Sequence, residues 1–226
     1  MTTTSSNALH IGVIGLGAMG KGMASSLRRA GHDVGVCDVR FDAAEAFTKE
    51  GGTAYKTPAD LAQHVDIIVS VVVNADQTEQ VLFGEHGAAS RMKAGSLFIM
   101  CSTVDPNWSA SLEKRLNDMG LLYLDAPISG GAAKAASGQM TMMTSGQASA
   151  YAKAGNALES MAAHVYKLGD RAGYGSKVKI INQLLAGVHI AAAAEAMALG
   201  LREGVAADAL YEVITNSAGN SWMFEN

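Results

Sequence analysis

A single lysine in an apolar helical segment is the residue best suited to chemistry in this sequence. In KVKIINQLLAGVHIAAAAEAMALG, Lys179 precedes Gln183 by four positions, and no charged residue follows Lys179 before Glu195. Residues four apart share a helix face, so Lys179 and Gln183 point together whereas Lys177 points nearly opposite. Burial lowers the pKa of an ammonium toward the range used in acid–base catalysis. Lys179 is therefore either a proton carrier for a substrate hydroxyl or a lysine that extends past apolar neighbours to water.

A glycine pattern near the N-terminus predicts a dinucleotide site. The stretch HIGVIGLGAMGKGMASSL places Gly15, Gly17 and Gly20 in GxGxxG order, after an apolar run and before a helical segment. The first glycine permits a tight turn, the second lets the backbone approach a pyrophosphate, and the third allows close helix packing. A glycine-rich turn without a ligand is the alternative interpretation.

The carboxylate at the end of the next apolar run bears on the choice of cofactor. Asp38 ends DVGVCD, where a carboxylate can accept hydrogen bonds from an adenosine ribose and would repel a 2′-phosphate. The sequence therefore predicts NAD in preference to NADP. Arg40, two residues later, would weaken that exclusion.

Two further stretches place hydroxyl groups after predicted strands. In LDAPISGGAAKAASGQ, Ser129, Gly130 and Gly131 offer a hydroxyl and two unhindered backbone N–H groups to a substrate carboxylate. A plain glycine turn explains that spacing equally well. In CSTVDP, Ser102 and Thr103 are expected to face the same crevice, although either hydroxyl could instead cap the next helix.

Apolar runs alternate with helical segments as far as Gly169, a pattern typical of a parallel α/β sheet. The predicted strands are HIGVIG, DVGVCD, DIIVSVV, SLFIMC, LLYLDAP and MTMMTS. We expect a flexible tail over 1–9, a Rossmann-like doubly wound NAD-binding domain over 10–170, and the start of an all-helical substrate and dimerisation domain over 171–226. The glycine-rich GDRAGYGS marks the boundary.

The helical remainder is predicted to contain one long buried helix and a second helix in DALYEVITNSA. Its 56 residues are too few to bury so apolar a helix comfortably. Either the segment packs against another subunit, as a homodimer or higher homo-oligomer, or the chain is cut short. The uncharged run over 180–194 falls below the roughly 18 apolar residues that span a bilayer, so no membrane helix is predicted.

Composition narrows the class of protein. A formal net charge of −4 without a basic run does not favour binding to nucleic acid or to an anionic membrane surface. The N-terminus lacks the pattern of a signal peptide, and Cys37 and Cys101 are expected to be reduced thiols, so a cytoplasmic location is predicted. No His, Cys, Asp or Glu cluster has metal-ligand spacing. Small-molecule chemistry is the expected function.

Three motifs together carry a family resemblance. GLGAMGKGMASSL, DAPISGG and GYGSKVKIINQ, in this order, resemble the β-hydroxyacid dehydrogenase family from His10 to the last residue. The resemblance implies a dehydrogenase in which Lys179 transfers the proton, a loop binds the substrate carboxylate, and the first motif binds NAD(P). The implied substrate-binding residues are Ser129, Gly130, Gly131, Asn182 and Gln183. The implied cofactor-binding residues are Gly15, Leu16, Gly17, Ala18, Met19, Gly20, Asp38, Val39, Arg40, Val72, Val73, Gln77 and Thr103.

The position of Gln183 bears on the substrate. Many family members have asparagine there, and the glutamine resembles the members that act on polyhydroxylated acids. L-threonate or a related sugar acid is therefore expected, with tartronate semialdehyde or 3-hydroxyisobutyrate as alternative substrates. Two other functions remain open, a cofactor-binding module for dimerisation without catalysis and, less favoured, imine reduction on the same architecture.

Overall fold

A six-stranded parallel sheet forms the centre of the protein, for which the computed structural model describes residues 8–226. Its strands are β1 (His10–Ile14), β2 (Asp33–Cys37), β3 (Thr53–Ala54), β4 (Ile67–Ser70), β5 (Leu97–Met100) and β6 (Leu122–Asp125). They lie in the order β3-β2-β1-β4-β5-β6. This is the strand order of the doubly wound dinucleotide-binding fold. The predicted Rossmann-like fold class is confirmed.

Helices cover both faces of this sheet, which explains why the interiors of its strands are mostly apolar. In β5, Leu97 and Ile99 belong to one buried cluster, and Phe98 and Met100 belong to another. Successive side chains of a strand point to opposite faces, so each cluster fills one face. The sheet is therefore buried on both sides.

The connecting helices begin where the sequence supplies caps. They are α1 (Gly20–Arg29), α2 (Phe41–Phe47), α3 (Pro58–Ala62), α4 (Ala75–Phe83), α5 (Pro106–Asp118), α6 (Gly131–Ser137), α7 (Ala148–Ala154) and α8 (Ala157–Met161). The Thr57 hydroxyl accepts the Asp60 N–H at 3.0 Å at the start of α3. Asp105 Oδ1 accepts the N–H groups of Asn107 and Trp108 at the start of α5. Each cap satisfies an N–H group that has no partner within its helix.

A second, three-stranded sheet was not expected. It contains β7 (Ile128–Ser129), antiparallel to β8 (Met140–Thr144), which is parallel to β9 (Ala162–Lys167). The prediction that MTMMTS joins the main parallel sheet is therefore wrong, because this segment is β8. The short strand β3 takes the sixth place in the main sheet.

Helices α1 and α6 pack with almost no space between their backbones. A Cβ atom built on Gly22 would lie 2.6 Å from the Ala136 nitrogen. Close by, the Ser26 hydroxyl donates to the Ala135 carbonyl oxygen at 3.0 Å. Helix α1 follows the glycine loop, and α6 follows the Ser129–Gly131 segment. The two candidate ligand loops are therefore joined through one helix contact.

The last part of the chain is helical. It contains α9 (Tyr174–Arg202), α10 (Ala207–Thr215) and α11 (Trp222–Glu225). The chain divides into two compact units after Lys179, within α9, and the second unit is Ile180–Asn226. The assignment of a separate function to each predicted domain stays a prediction.

The expectation that the long helix is buried is wrong beyond its first turns. Its buried residues end at Lys179, and the helix is largely exposed from Ile180 onward. An apolar sequence favours burial only where other residues are available to cover it. By length and composition, α9 is also the one helix within residues 8–226 that could cross a membrane.

Most of the predicted N-terminal tail, residues 1–7, lies outside the described residues. At its end Leu9 belongs to the fold, because its carbonyl oxygen accepts the Asp33 N–H at 3.0 Å. Leu9 also packs against the main core cluster. Leu9 is therefore part of the packed domain.

Candidate active site

The three glycines of the GxGxxG loop have different surroundings. Gly15 has a φ of 92°, and a Cβ atom on it would lie 2.6 Å from the Val71 carbonyl oxygen. A Cβ atom on Gly20 would collide with the Gly15 carbonyl oxygen. A Cβ atom on Gly17, in contrast, would have no heavy atom within 4 Å. The chain itself requires glycine at the first and third positions, whereas the second leaves open space that a ligand can occupy.

Asp38 fixes the loop beside the glycines. This buried carboxylate follows β2, and its Oδ2 atom accepts the Leu16 N–H at 2.6 Å. Its Oδ1 atom accepts the Arg40 N–H at 2.8 Å and lies 3.7 Å from Arg40 Nε. Each carboxylate oxygen can accept more than one hydrogen bond, so these contacts still leave capacity for a ribose hydroxyl.

A cavity of about 630 Å³ opens at this end of the sheet. Its volume lies within the range typical of small-molecule sites. The predicted cofactor residues that line it are Gly15, Gly17, Asp38, Val39, Arg40, Val72, Val73 and Gln77. The remaining members of that set, Leu16, Ala18, Met19, Gly20 and Thr103, do not line it.

Several lining residues were missed by sequence reasoning. Lys56 and Pro58 follow the two-residue strand β3, and Glu85 and His86 follow α4. Neither segment carries a ligand-binding motif, and β3 is too short to give a strand pattern. Lys56 adds a second cation to the cavity beside Arg40.

The loop after β4 is held by side-chain amides. Gln77 Oε1 accepts the Val73 N–H at 2.9 Å, and Asn74 Oδ1 accepts the Gln77 N–H at 2.9 Å. Asn74 is thereby the N-cap of α4. Val72, Val73 and Gln77 are brought to the cavity wall as one hydrogen-bonded turn.

Ser102 and Thr103 differ in environment. The buried Ser102 hydroxyl donates to the Val72 carbonyl oxygen at 2.8 Å and lies 3.3 Å from Thr78 Oγ1. Thr103 is exposed. Neither caps α5, because Asp105 is its N-cap. Of the two, Thr103 is free to face a ligand, and Ser102 supports the neighbouring loop.

The Ser129–Gly131 segment lies in the smaller sheet, not directly at the end of a main-sheet strand as expected. Ser129 ends β7, and Gly131 begins α6. Gly130 and Gly131 have φ values of 137° and 73°, a conformation that residues with a side chain rarely adopt. A Cβ atom on Gly131 would meet no heavy atom within 4 Å. Gly131 is exposed, so a ligand can approach the backbone at that residue.

The two lysines at the start of α9 have opposite environments. Lys179 is 7% exposed, and its burial lowers the pKa of the ammonium. Lys177 is exposed, with its Nζ atom 4.7 Å from the centre of the Tyr174 ring. The face argument from the sequence is therefore correct for these two residues. Asn182 and Gln183 follow on the same helix and are exposed.

A buried polar cluster precedes Lys179 and was missed. Asp125, at the end of β6, is fully buried, and it accepts hydrogen bonds from Gly173, Ser176 and Ser145. Burial raises the pKa of Asp125, and the hydrogen bonds from Ser176, Gly173 and Ser145 oppose that rise. Asp125 begins the DAPISGG motif and ends an apolar run, but local spacing did not indicate its partners, because they lie far along the chain.

Residues 8–226 contain no group of three or more His, Cys, Asp or Glu side chains that could hold a metal ion. Cys37 and Cys101 are free, buried thiols. Burial raises the pKa of Cys37 to about 11 and that of Cys101 to about 12. A thiolate is the reactive form of cysteine, so these two residues are poor nucleophiles.

Two family profiles together match nearly the whole described chain. Residues 10–169 match the NAD binding domain of 6-phosphogluconate dehydrogenase. Residues 173–226 match the profile described as NAD-binding of NADP-dependent 3-hydroxyisobutyrate dehydrogenase.

Individual relatives are similar over almost all of this chain. An L-threonate dehydrogenase from Cupriavidus necator is 62% identical over 96% of this chain and 73% of its own length. An L-threonate dehydrogenase from Escherichia coli K12 is 46% identical over 96% of this chain and 72% of its own length.

A solved structure has the same fold. The crystal structure of a 3-hydroxyisobutyrate dehydrogenase from Salmonella typhimurium superposes with a TM-score of 0.91 at 47% identity. The match covers 96% of this chain and 76% of that one. Helix α9 therefore lies within a fold shared with a solved dehydrogenase and is not a membrane anchor added to it.

Proposed function

Because the chain belongs to the β-hydroxyacid dehydrogenase family of NAD(P)-dependent enzymes, we propose that it oxidises L-threonate or a related sugar acid with NAD. The substrate follows the relative from Cupriavidus necator. The observation that carries the chemistry is the burial of Lys179, which lowers the pKa of its ammonium. A lysine with a lowered pKa is neutral over a wider pH range, and only the neutral amine can accept a proton.

We assign the cofactor to the glycine loop and the adjoining cavity. The open space at Gly17 suits a close approach of the pyrophosphate, and Asp38 suits the ribose hydroxyls. NAD held there would supply the acceptor for the hydride that leaves the carbinol carbon of the substrate. The carboxylate of Asp38 supports NAD over NADP, whereas Arg40 and Lys56 in the same cavity would favour a 2′-phosphate.

The remaining roles belong to residues of the chain itself. Lys179 Nζ takes the substrate hydroxyl proton as the C–H bond is broken. Ser129, Gly130 and Gly131 hold the carboxylate and so fix which carbon reacts. Asn182 and Gln183, one turn beyond Lys179, are assigned to the oxygens of the polyhydroxylated substrate.

We also propose a cytoplasmic location, which the free thiols Cys37 and Cys101 support, and a homodimer or higher homo-oligomer. The exposed apolar residues of α9 support self-association.

A panel of hydroxy acids tests the activity. L-threonate should give the highest kcat/KM with NAD, ahead of 3-hydroxyisobutyrate, L-serine and glycerate, and NADP should be the poorer cofactor. Lys179→Ala should lower kcat by about a thousandfold while NADH affinity stays near that of the wild type. Activity in the wild type should rise with pH through the lowered pKa of Lys179, because the neutral amine accepts the proton.

Lys177→Ala is the matched control, since Lys177 lies two positions away and is exposed. It should leave kcat within about twofold of the wild type. Equal losses in both variants would contradict the role of Lys179. Tight NADH binding without turnover of any acid on the panel would instead indicate a non-catalytic binding module.

A further inference from the structure

The first turn of α9 is held by the Asp125 cluster, defined by Asp125, Ser145, Ser176 and the backbone of Gly173 and Gly175. Asp125 Oδ2 accepts the N–H groups of Gly173 and Ser176, each at 2.9 Å, and the Ser145 hydroxyl at 3.2 Å. Asp125 Oδ1 accepts the Ser176 hydroxyl at 2.7 Å. Ser145 Oγ in turn accepts the Gly175 N–H at 2.9 Å. Every polar atom of the Asp125 side chain is engaged.

The cluster replaces hydrogen bonds that a helix cannot make within itself. The N–H groups of the first turn have no carbonyl partner inside the helix. Here two of them, from Gly175 and Ser176, are bound by Ser145 and Asp125. A carboxylate at this end also interacts favourably with the helix dipole. Both the position and the rotation of α9 at its start are therefore tied to the end of β6.

Close packing leaves no freedom for that turn to shift. A Cβ atom on Gly175 would collide with the Met143 carbonyl oxygen and lie 3.0 Å from the Asp125 carbonyl oxygen. Lys179 lies three residues after Ser176, about one turn along the helix. Side chains of a helix lean toward its N-terminus, so the Lys179 side chain lies over the turn that the cluster holds.

We propose that Asp125 is a positioning residue for Lys179, because it fixes the helix rotation that keeps the lysine away from solvent. The importance of this positioning for turnover rests on the proposed function of Lys179. Asp125 is not itself the base, since it is fully buried and its oxygens already accept four hydrogen bonds.

Other ionisable groups surround the cluster and remain in every variant described below. They are Glu113, whose Oε2 accepts the Ala172 N–H, and Cys101, Tyr123, Tyr151, Asp170, Arg171, Tyr174 and Lys177. Asp125→Asn removes the charge but can keep the hydrogen bonds, whereas Asp125→Ala removes both. Comparison of the two variants therefore separates the effect of the charge from that of the hydrogen bonds.

Competitive acetylation of lysines across a pH series, read by mass spectrometry, measures the titration of Lys179 without any need for turnover. Lys177 in the same peptide is an exposed internal reference. Asp125→Ala should raise the acetylation midpoint of Lys179, because the lysine gains access to water. Its kcat should fall about a hundredfold, as expected when a catalytic group is misplaced, with NADH affinity unchanged.

Asp125→Asn should behave differently. The amide oxygen can still accept the backbone N–H groups, and the Ser176 hydroxyl can reverse to accept from the amide nitrogen. Lys179 should therefore stay shielded, and kcat should stay within about tenfold of the wild type. Phe47→Leu, a buried change beside the opposite edge of the sheet, controls for general destabilisation and should leave the titration of Lys179 unchanged.

A folded Asp125→Ala variant in which Lys179 stays shielded and titrates as in the wild type would overturn the proposal. If Asp125→Ala does not fold, Ser145→Ala and Ser176→Ala decide the matter, because each removes one hydroxyl from the cluster. Both should raise the acetylation midpoint of Lys179 partway, and no change in either would also overturn the proposal. Failure of the wild type to oxidise any hydroxy acid would count against the proposed function alone.

Discussion

At the scale of single residues, the same residue type serves different physical purposes a few positions apart. Lys177 and Lys179 differ in exposure because two helix positions rotate a side chain by about 200°. Gly15 and Gly20 are required by the contacts of the chain itself, whereas Gly17 has open space around it. A residue whose identity the fold does not require is a good candidate for a ligand contact.

This contrast gives a prediction for the glycine loop. Gly17→Ala should change the free energy of unfolding by less than about 0.5 kcal/mol, since its methyl group meets nothing in the chain. It should weaken NADH binding at least about tenfold, equal to about 1.4 kcal/mol, because the methyl group fills the space next to the pyrophosphate. Fluorescence titration with NADH and thermal unfolding measure the two effects.

Gly20→Ala is the comparison, because its Cβ atom would collide with the Gly15 carbonyl oxygen. It should lower the melting temperature by several degrees, a shift that corresponds to about 1–3 kcal/mol. Undiminished NADH affinity in Gly17→Ala would show that the cofactor does not approach this position.

At the scale of elements, the start of α9 joins two buried carboxyl groups. Asp125 comes from β6 and Glu113 from α5, and Glu113 Oε2 accepts the Ala172 N–H at 3.0 Å. Its other oxygen, Oε1, is buried and has no hydrogen-bond partner among residues 8–226. Burial raises the pKa of Glu113, and the hydrogen bond from Ala172 opposes the rise.

The raised pKa of Glu113 predicts how stability depends on pH. The folded state holds the proton at a pH where the unfolded state has lost it. The free energy of unfolding should therefore fall as pH rises from the ordinary glutamate pKa, about 4.3, through the higher folded value. Glu113→Gln should make this decline shallower in urea unfolding measured across that window. Glu159→Gln, at an exposed position of α8, should leave it unchanged. An equal slope in the wild type and Glu113→Gln would contradict the assignment.

Elements with a local signal could be predicted from the sequence, and those without one could not. The five longer strands of the main sheet were predicted because a sheet covered on both faces requires continuous apolar runs. Strands β3 and β7 have two residues each, and β9 alternates too weakly to be recognised. The role of Asp125 was missed because its partners Gly173 and Ser176 follow it by 48 and 51 positions, a relation that local spacing does not reveal.

At the scale of the whole molecule, the exposed apolar side chains of the helical remainder need an explanation. They include Ile181, Leu184, Leu185, Val188, Ile190, Leu199, Leu201, Val213 and Trp222. Extensive exposed apolar surface is typical of interfaces between protein chains. The expectation of a buried helix failed because the residues that would cover it are not supplied by Ile180–Asn226 itself.

Self-association follows as a prediction. Sedimentation velocity at micromolar concentration should show a homodimer or larger species, and the melting temperature should rise with protein concentration. Leu184→Glu should shift the population toward monomer, because Leu184 is 69% exposed within one chain. Met119→Glu, at an isolated exposed methionine that follows α5, should have no such effect. A monomer at every concentration would contradict the prediction.

The contact between α1 and α6 has a consequence for protein engineering. There is no room for even one methyl group at Gly22. Any larger residue at this position would push apart α1 and α6, and with them the two segments that are expected to bind the nicotinamide nucleotide and the acid. To change the substrate preference, the accessible residues near Gly131 should be randomised and Gly22 should be kept as glycine. The substrate selectivity would then change while the affinity for the nicotinamide cofactor is retained.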